Sequence, residues 1–228
     1  MDASARATPA GTRACLARLI LAGLGIGGWF WTQALIGRRP APPSGIGDRL
    51  HQVSAPLNLY LLHHATAANA LLIVSSEIVD LLALFVFVQW LFGPSVRPLL
   101  GLVILLGLRQ VVQELCVLPI PPDIVWHYPG FPSLLVTYGI SNDFFFSAHT
   151  GIAVFAATEI ARLRRPWLTA LAIAAVVFVA AAVLVLRAHY TMDVFTAIIT
   201  ALYVASVAER LSPWFDRRLA RLFATAAR

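Results

Sequence analysis

Long apolar runs alternate with short polar breaks along this chain. The runs cover about 15–36, 67–92, 97–118, 144–163, 166–187 and 189–209. Each is long enough for a helix rising 1.5 Å per residue to cross the hydrocarbon of a bilayer. The pattern predicts an all-α fold, a six-helix transmembrane bundle, and shows no internal repeat of 20–50 residues. Leu19 to Phe30 is the strongest part of the first run. Arg13 and Arg18 precede it as they would in a cleaved signal peptide, but no small-x-small cleavage site follows, so a retained helix is expected. The boundaries read as a disordered N-terminus over 1–14, one six-span membrane domain over 15–210 and a basic cytoplasmic tail over 211–228. Residues 37–66, with Arg38, Arg39, Pro40, Pro42 and Pro43, form a connector whose second half is expected along the membrane surface.

Composition strengthens this reading. The chain is 59% hydrophobic and 12% charged, where a soluble domain is about one quarter charged. The net charge is +6 and every basic residue is Arg. That suits basic cytoplasmic edges on a membrane protein and excludes nucleic acid as a partner for so apolar a chain. The Arg/Ala-rich composition points to a bacterial inner membrane. Cys15 and Cys116 lie in apolar runs and read as packed thiols. Arg162, Arg164 and Arg165, and then Arg210, Arg217, Arg218 and Arg221, mark the cytoplasmic side. The 119–143 segment has no Arg and falls outside. Arg38, Arg39 and Arg49 run against this orientation.

Three ionisable groups then fall at the outer face: His149 on the fourth run, His189 and Asp193 on the sixth. His189 and Asp193 are four residues apart, one helical turn. A carboxylate there can fix the tautomer of an imidazole and leave its other nitrogen free. The set suits phosphoryl transfer: one imidazole attacks phosphorus, the other protonates the leaving oxygen and later takes a proton from the acceptor. Two rivals stay open. The residues also read as ordinary polar groups at helix ends near water, or as a two-His, one-carboxylate metal site. Pro119, Pro121, Pro122, Trp126, Tyr128, Phe131, Pro132 and Tyr138 place the outer loop at the interface above the site. Phe144-Phe145-Phe146 reads as the interfacial start of the fourth span, or as the wall of an acyl-chain entrance. Glu77 and Arg109 lie at similar depth, about 13–15 Å down, and are expected to pair, with Glu114 as a substitute for Glu77; Asp80 belongs to the same deep group. His51, His63, His64 and His127 read as interfacial polar residues of connectors.

Ser147-Ala148-His149-Thr150, with Asp143 six residues before His149, and His189-Tyr190-Thr191-Met192-Asp193-Val194 resemble the two signature motifs of sphingomyelin synthases, C-G-D-x-x-x-S-G-H-T and H-Y-T-x-D-V. Arg109 followed by Leu118-Pro119-Ile120-Pro121 is similar to an R-x8-L-P-x-P segment of that family, a branch of the type 2 phosphatidic acid phosphatase superfamily. The resemblance covers roughly 67–210. Ala148 stands in place of Gly, and Ser141-Asn142 in place of Cys-Gly. The K-x6-R-P motif of the phosphatases is missing, and Val183 occupies the position of their Arg before the second His.

The resemblance implies a bundle of the type 2 phosphatidic acid phosphatase kind with an extracytoplasmic site. His189 would be the nucleophile that forms a phosphohistidine, Asp193 its orienting group and His149 the acid/base partner. Asp143, Ser147, Arg109, Arg187 and Tyr190 would bind substrate, with no metal and no cofactor. Arg187 has the alternative of snorkelling to the interface. The expected activity is transfer of a phosphoalcohol headgroup from a phospholipid donor to a lipid alcohol acceptor, ceramide or diacylglycerol, in sphingolipid or other lipid metabolism. The alternatives are a lipid phosphate phosphatase, or a non-enzymatic transporter or scaffold of the same fold. A homo-oligomer is compatible with all of them.

Overall fold

The computed structural model describes residues 20, 23–28, 30–35, 38, 45–136, 138 and 144–226. The expected disordered segment 1–14, Cys15, and the motif residues Ser141, Asn142 and Asp143 lie outside the described residues. The chain divides into two compact units at Gly47/Asp48. In the first, residues 20, 23–28 and 30–35 are helical, within the run expected to form the first span.

The second unit is all-helical among the described residues. Two short helices, α1 (Arg49–Val53) and α2 (Ala55–His63), lead into α3 (Ala65–Phe92), α4 (Arg97–Leu115), α5 (Ala148–Ala161), α6 (Pro166–Val185) and α7 (Thr191–Ala226). Prolines in the first turn start α2, α4 and α6, where a missing N–H costs nothing. Four helices among the described residues are long and apolar enough to cross a membrane: α3, α4, α6 and α7 over Thr191–Leu219.

The fourth apolar run departs from the six-span expectation. Its helix α5 has 14 residues, about 21 Å at 1.5 Å per residue, against about 30 Å of hydrocarbon. The apolar run is longer than the helix because Phe144, Phe145 and Phe146 are apolar but precede it. α5 has no need to present a spanning apolar face. It is the central helix, packed against α3, α4, α6 and α7, with Ala153, Phe155 and Ala156 wholly buried. Ala197, Ala201, Val204 and Ala205 of α7 pack in the same cluster as Phe155 and Val154, and such small residues let helix backbones approach closely. Gly101 of α4 serves the same purpose, since a Cβ there would overlap the Phe155 ring.

Nor does the expected tail boundary at 210 coincide with a break, because α7 continues to Ala226. Its Asp216 accepts hydrogen bonds from Ser95 Oγ and Val96 N, both at 2.8 Å, and so holds the start of α4. At the same end Arg97 grips the buried carboxylate of Glu159 (2.7 Å) and Arg162 grips Glu209 (2.8 Å). The candidate site occupies the opposite end.

Candidate active site

The site is built where α5 and α7 begin. Ser147 caps α5, its Oγ accepting the Thr150 N–H at 3.3 Å. Asp193 closes the first turn of α7 by accepting the Tyr190 N–H at 2.8 Å, the carboxylate half of a capping box. The two starts are joined directly, Ser147 N–H donating to Asp193 O at 3.4 Å. This places His149 and His189 with ring centroids 6.3 Å apart and planes at 61°. Both are buried, at 8% and 5% exposure.

The His189 ring is oriented by a carbonyl. Its Nδ1 lies 2.8 Å from Phe144 O. A carbonyl oxygen can only accept, so Nδ1 carries the hydrogen and the neutral ring has its lone pair on Nε2. Asp193 Oδ2 is 3.8 Å from the same Nδ1, too far for a hydrogen bond. The expectation that Asp193 itself fixes the tautomer is therefore corrected. It caps α7 and adds a wholly buried carboxylate beside the ring. Asp193 Oδ1 and His149 Nε2 have no hydrogen-bond partner among the described residues. Buried polar atoms left unpaired in this way are uncommon; Gln113 Nε2, Thr150 Oγ1 and Arg187 Nε share this state. The edge of Trp126 covers His149 at 5.3 Å between centroids, so the loop segment that carries Trp126 lies over this ring.

Of the residues expected to bind substrate, Ser147, Tyr190, Arg109 and Arg187 make contacts within the chain, and Asp143 lies outside the described residues. Ser147 is wholly buried as a cap. Tyr190 is buried, and its hydroxyl donates to Pro119 O at 3.1 Å. Arg109 donates from Nε to Phe146 O (2.9 Å) and from Nη1 to Gln113 Oε1 (3.1 Å). No salt bridge between described residues joins it to Glu77 or Glu114, so the expected pairing is corrected. Asp80 instead caps the 133–135 turn, accepting from Ser133 Oγ, Leu134 N and Leu135 N at 2.7–3.1 Å. Glu77 lines a cleft beside it.

Arg187 does not snorkel. It is buried, and donates to Pro122 O (3.1 Å) and His51 O (3.3 Å). Its backbone φ of +55° ends α6 in the left-handed conformation usually given to glycine. The N–H groups of Arg187 and Ala188 close on Leu184 O and Val183 O, the pattern of a Schellman motif. The turn this produces delivers His189.

Two residues that the sequence did not single out as functional hold that turn in place. Asp48 accepts from Thr191 N at 2.6 Å and Thr191 Oγ1 at 2.7 Å, and also caps α1 through Leu50 N and His51 N. Burial alone would raise its pKa, but the hydrogen bonds from Thr191 and His51 outweigh burial and hold it below the ordinary carboxylate value. His51 was expected as a surface polar residue. It is 4% exposed, donates from Nε2 to His189 O at 2.9 Å and stacks on Tyr190 at 5.4 Å. The only sequence signal for either was an Asp just before a short helix.

Among the described residues no group of three or more His, Cys, Asp or Glu is placed to hold a metal ion. The model of the AtPDCT1/2 family, plant phosphatidylcholine:diacylglycerol cholinephosphotransferases, matches residues 48–210, more than two thirds of the chain. The chain belongs to the AtPDCT1/2 family. The match begins at Asp48 and takes in α1, both histidines and most of α7. That family is one of lipid headgroup phosphotransferases, in agreement with the four apolar helices long enough to cross a membrane and with the general kind of activity expected. No curated protein and no solved structure matches the chain significantly.

Proposed function

We propose that the chain transfers a phosphocholine-type headgroup from a phospholipid to diacylglycerol through a phosphohistidine. His189 Nε2 attacks the phosphorus of the donor. Burial, with His189 and Arg109 nearby, pulls the His149 pKa down to about 3, so the ring takes up its proton only when the anionic phosphate of the donor lies beside it. The bond from phosphorus to the glycerol oxygen then breaks, and His149 gives that oxygen its proton, releasing diacylglycerol. In the second half, His149 takes the proton from an acceptor hydroxyl. The acceptor oxygen then attacks phosphorus, the P–N bond breaks and neutral His189 returns. The buried Asp193 carboxylate stabilises the cationic imidazole while the bond exists.

The observation that carries this reading is the pair of buried rings. One has its Nδ1 donating to a carbonyl and its lone pair on Nε2; the other has an unpartnered Nε2 at a centroid separation of 6.3 Å. The family match supports diacylglycerol as acceptor, while the resemblance of the two motifs to sphingomyelin synthases supports ceramide. Placing the arginine-rich end in the cytoplasm puts the site on the extracytoplasmic side.

The test supplies purified protein with phosphatidylcholine labelled in the headgroup, alone and with diacylglycerol or ceramide. Labelled phosphatidylcholine with the acceptor's chains is expected with diacylglycerol. Free phosphocholine or phosphate alone would mean a hydrolase. No product from any mixture would contradict the enzyme reading.

A further inference from the structure

An apolar groove of about 320 Å³ opens between α4 and α7. It is lined by Leu108 and Val112 of α4, by Phe145 and Phe146, and by Thr196, Ile199, Thr200 and Tyr203 of α7. Its upper end is walled by the segment that builds the site. Phe145 and Phe146 sit between Phe144, whose carbonyl holds His189, and the Ser147 cap before His149. On α7 the positions Asp193, Thr196, Thr200 and Tyr203 follow one another at three- and four-residue steps, so they form one stripe. That stripe runs from the carboxylate beside His189 down the groove, about 10 Å from Thr196 to Tyr203 at 1.5 Å per residue. On α4, Leu108 and Val112 are one turn apart on one face, and Arg109 lies three residues before Val112.

From this adjacency we infer that the groove seats one acyl chain of the diacyl lipid whose headgroup is at the histidines. The inference rests on the function proposed above. The occupant has to be apolar, chain-like and joined to the group that reacts, and a glycerolipid tail is all three. Headgroup exchange makes the departing and arriving lipids the same chemical species, diacylglycerol. One groove therefore serves both halves of the reaction. Thr196 and Thr200 keep it open, since larger side chains on the same stripe would fill it. Tyr203, 66% exposed, stands at the lower end and limits the length of chain that fits.

The experiment measures headgroup transfer by the full chain in mixed micelles, from short-chain and from long-chain phosphatidylcholine. Thr200→Phe is expected to lower the ratio of long-chain to short-chain rates about tenfold, the scale on which an apolar pocket discriminates by size. Tyr203→Ala is expected to raise that ratio, and gives an independent reading should Thr200→Phe fail to accumulate. Leu171→Phe, on the exposed side of α6, should leave the ratio unchanged. Ratios unmoved by both groove variants would mean that ordinary bilayer lipid covers the groove, and would overturn the inference while leaving the histidine chemistry standing. A wild-type protein that transfers no headgroup from either lipid would instead remove the reading of the site, and the groove with it.

Discussion

At the residue scale, the turn that carries His189 is held by Asp48 and His51. Asp48 accepts the backbone and side-chain hydrogens of Thr191, and His51 holds the His189 carbonyl. Asp48→Asn keeps the shape but weakens both acceptor contacts. It is expected to lower kcat with little change in KM, because the ring rather than the lipid is displaced. Asp48 has its folded pKa below the unfolded value near 3.9. Its stabilisation is therefore complete above that value and is lost as pH falls through the folded pKa. The difference in melting temperature between wild type and Asp48→Asn should be full at neutral pH and shrink below about pH 4.

Arg187 gives a second test at this scale. Its left-handed backbone costs about 1–2 kcal/mol for a side-chain-bearing residue, offset by its contacts with Pro122 and His51. Arg187→Gly and Arg187→Ala both lose those contacts, but only glycine relieves the backbone. In thermal unfolding the glycine variant should be the more stable of the two by about 1 kcal/mol. Equal stabilities would mean that the backbone stores no strain there.

The elements show why some features could be read from the sequence and others could not. Buried histidines and carboxylates are costly in an apolar chain, so His149, His189 and Asp193 were conspicuous. α6 was legible because its apolar run coincides with its helix, and α7 only as far as about 209, beyond which a polar sequence carries the helix on to Ala226. α5 was not, because hydropathy cannot separate the three phenylalanines before the helix from the helix itself. Asp48 and His51 were hidden for a different reason. Their partners lie more than 130 residues away, and a polar Asp in a Gly-rich connector is what any turn would show. Position 101 tests the packing of α5 directly. Gly101→Val should destabilise the fold by about 1–3 kcal/mol through overpacking against Phe155. A relieving Phe155→Leu change should restore part of that loss. No loss in Gly101→Val would place α4 farther from α5 than the structure does.

On the scale of the whole second unit, chemistry and anchoring are separated. One end carries the histidines under Trp126, and the other carries Arg97, Arg162, Glu159 and Glu209 in ion pairs. Arg162→Ala, at the far end, is therefore expected to change headgroup transfer less than twofold, whereas His149→Ala should lower it by about 10²–10⁴-fold. The most direct measurement exposes the protein to phosphatidylcholine labelled in its headgroup, with no acceptor, and quenches in alkali, where a phosphohistidine survives. The mechanism predicts label bound covalently to the chain, absent from His189→Ala and discharged by added diacylglycerol. Transfer that continues in His189→Ala, or that proceeds with no label ever reaching the protein, would contradict it.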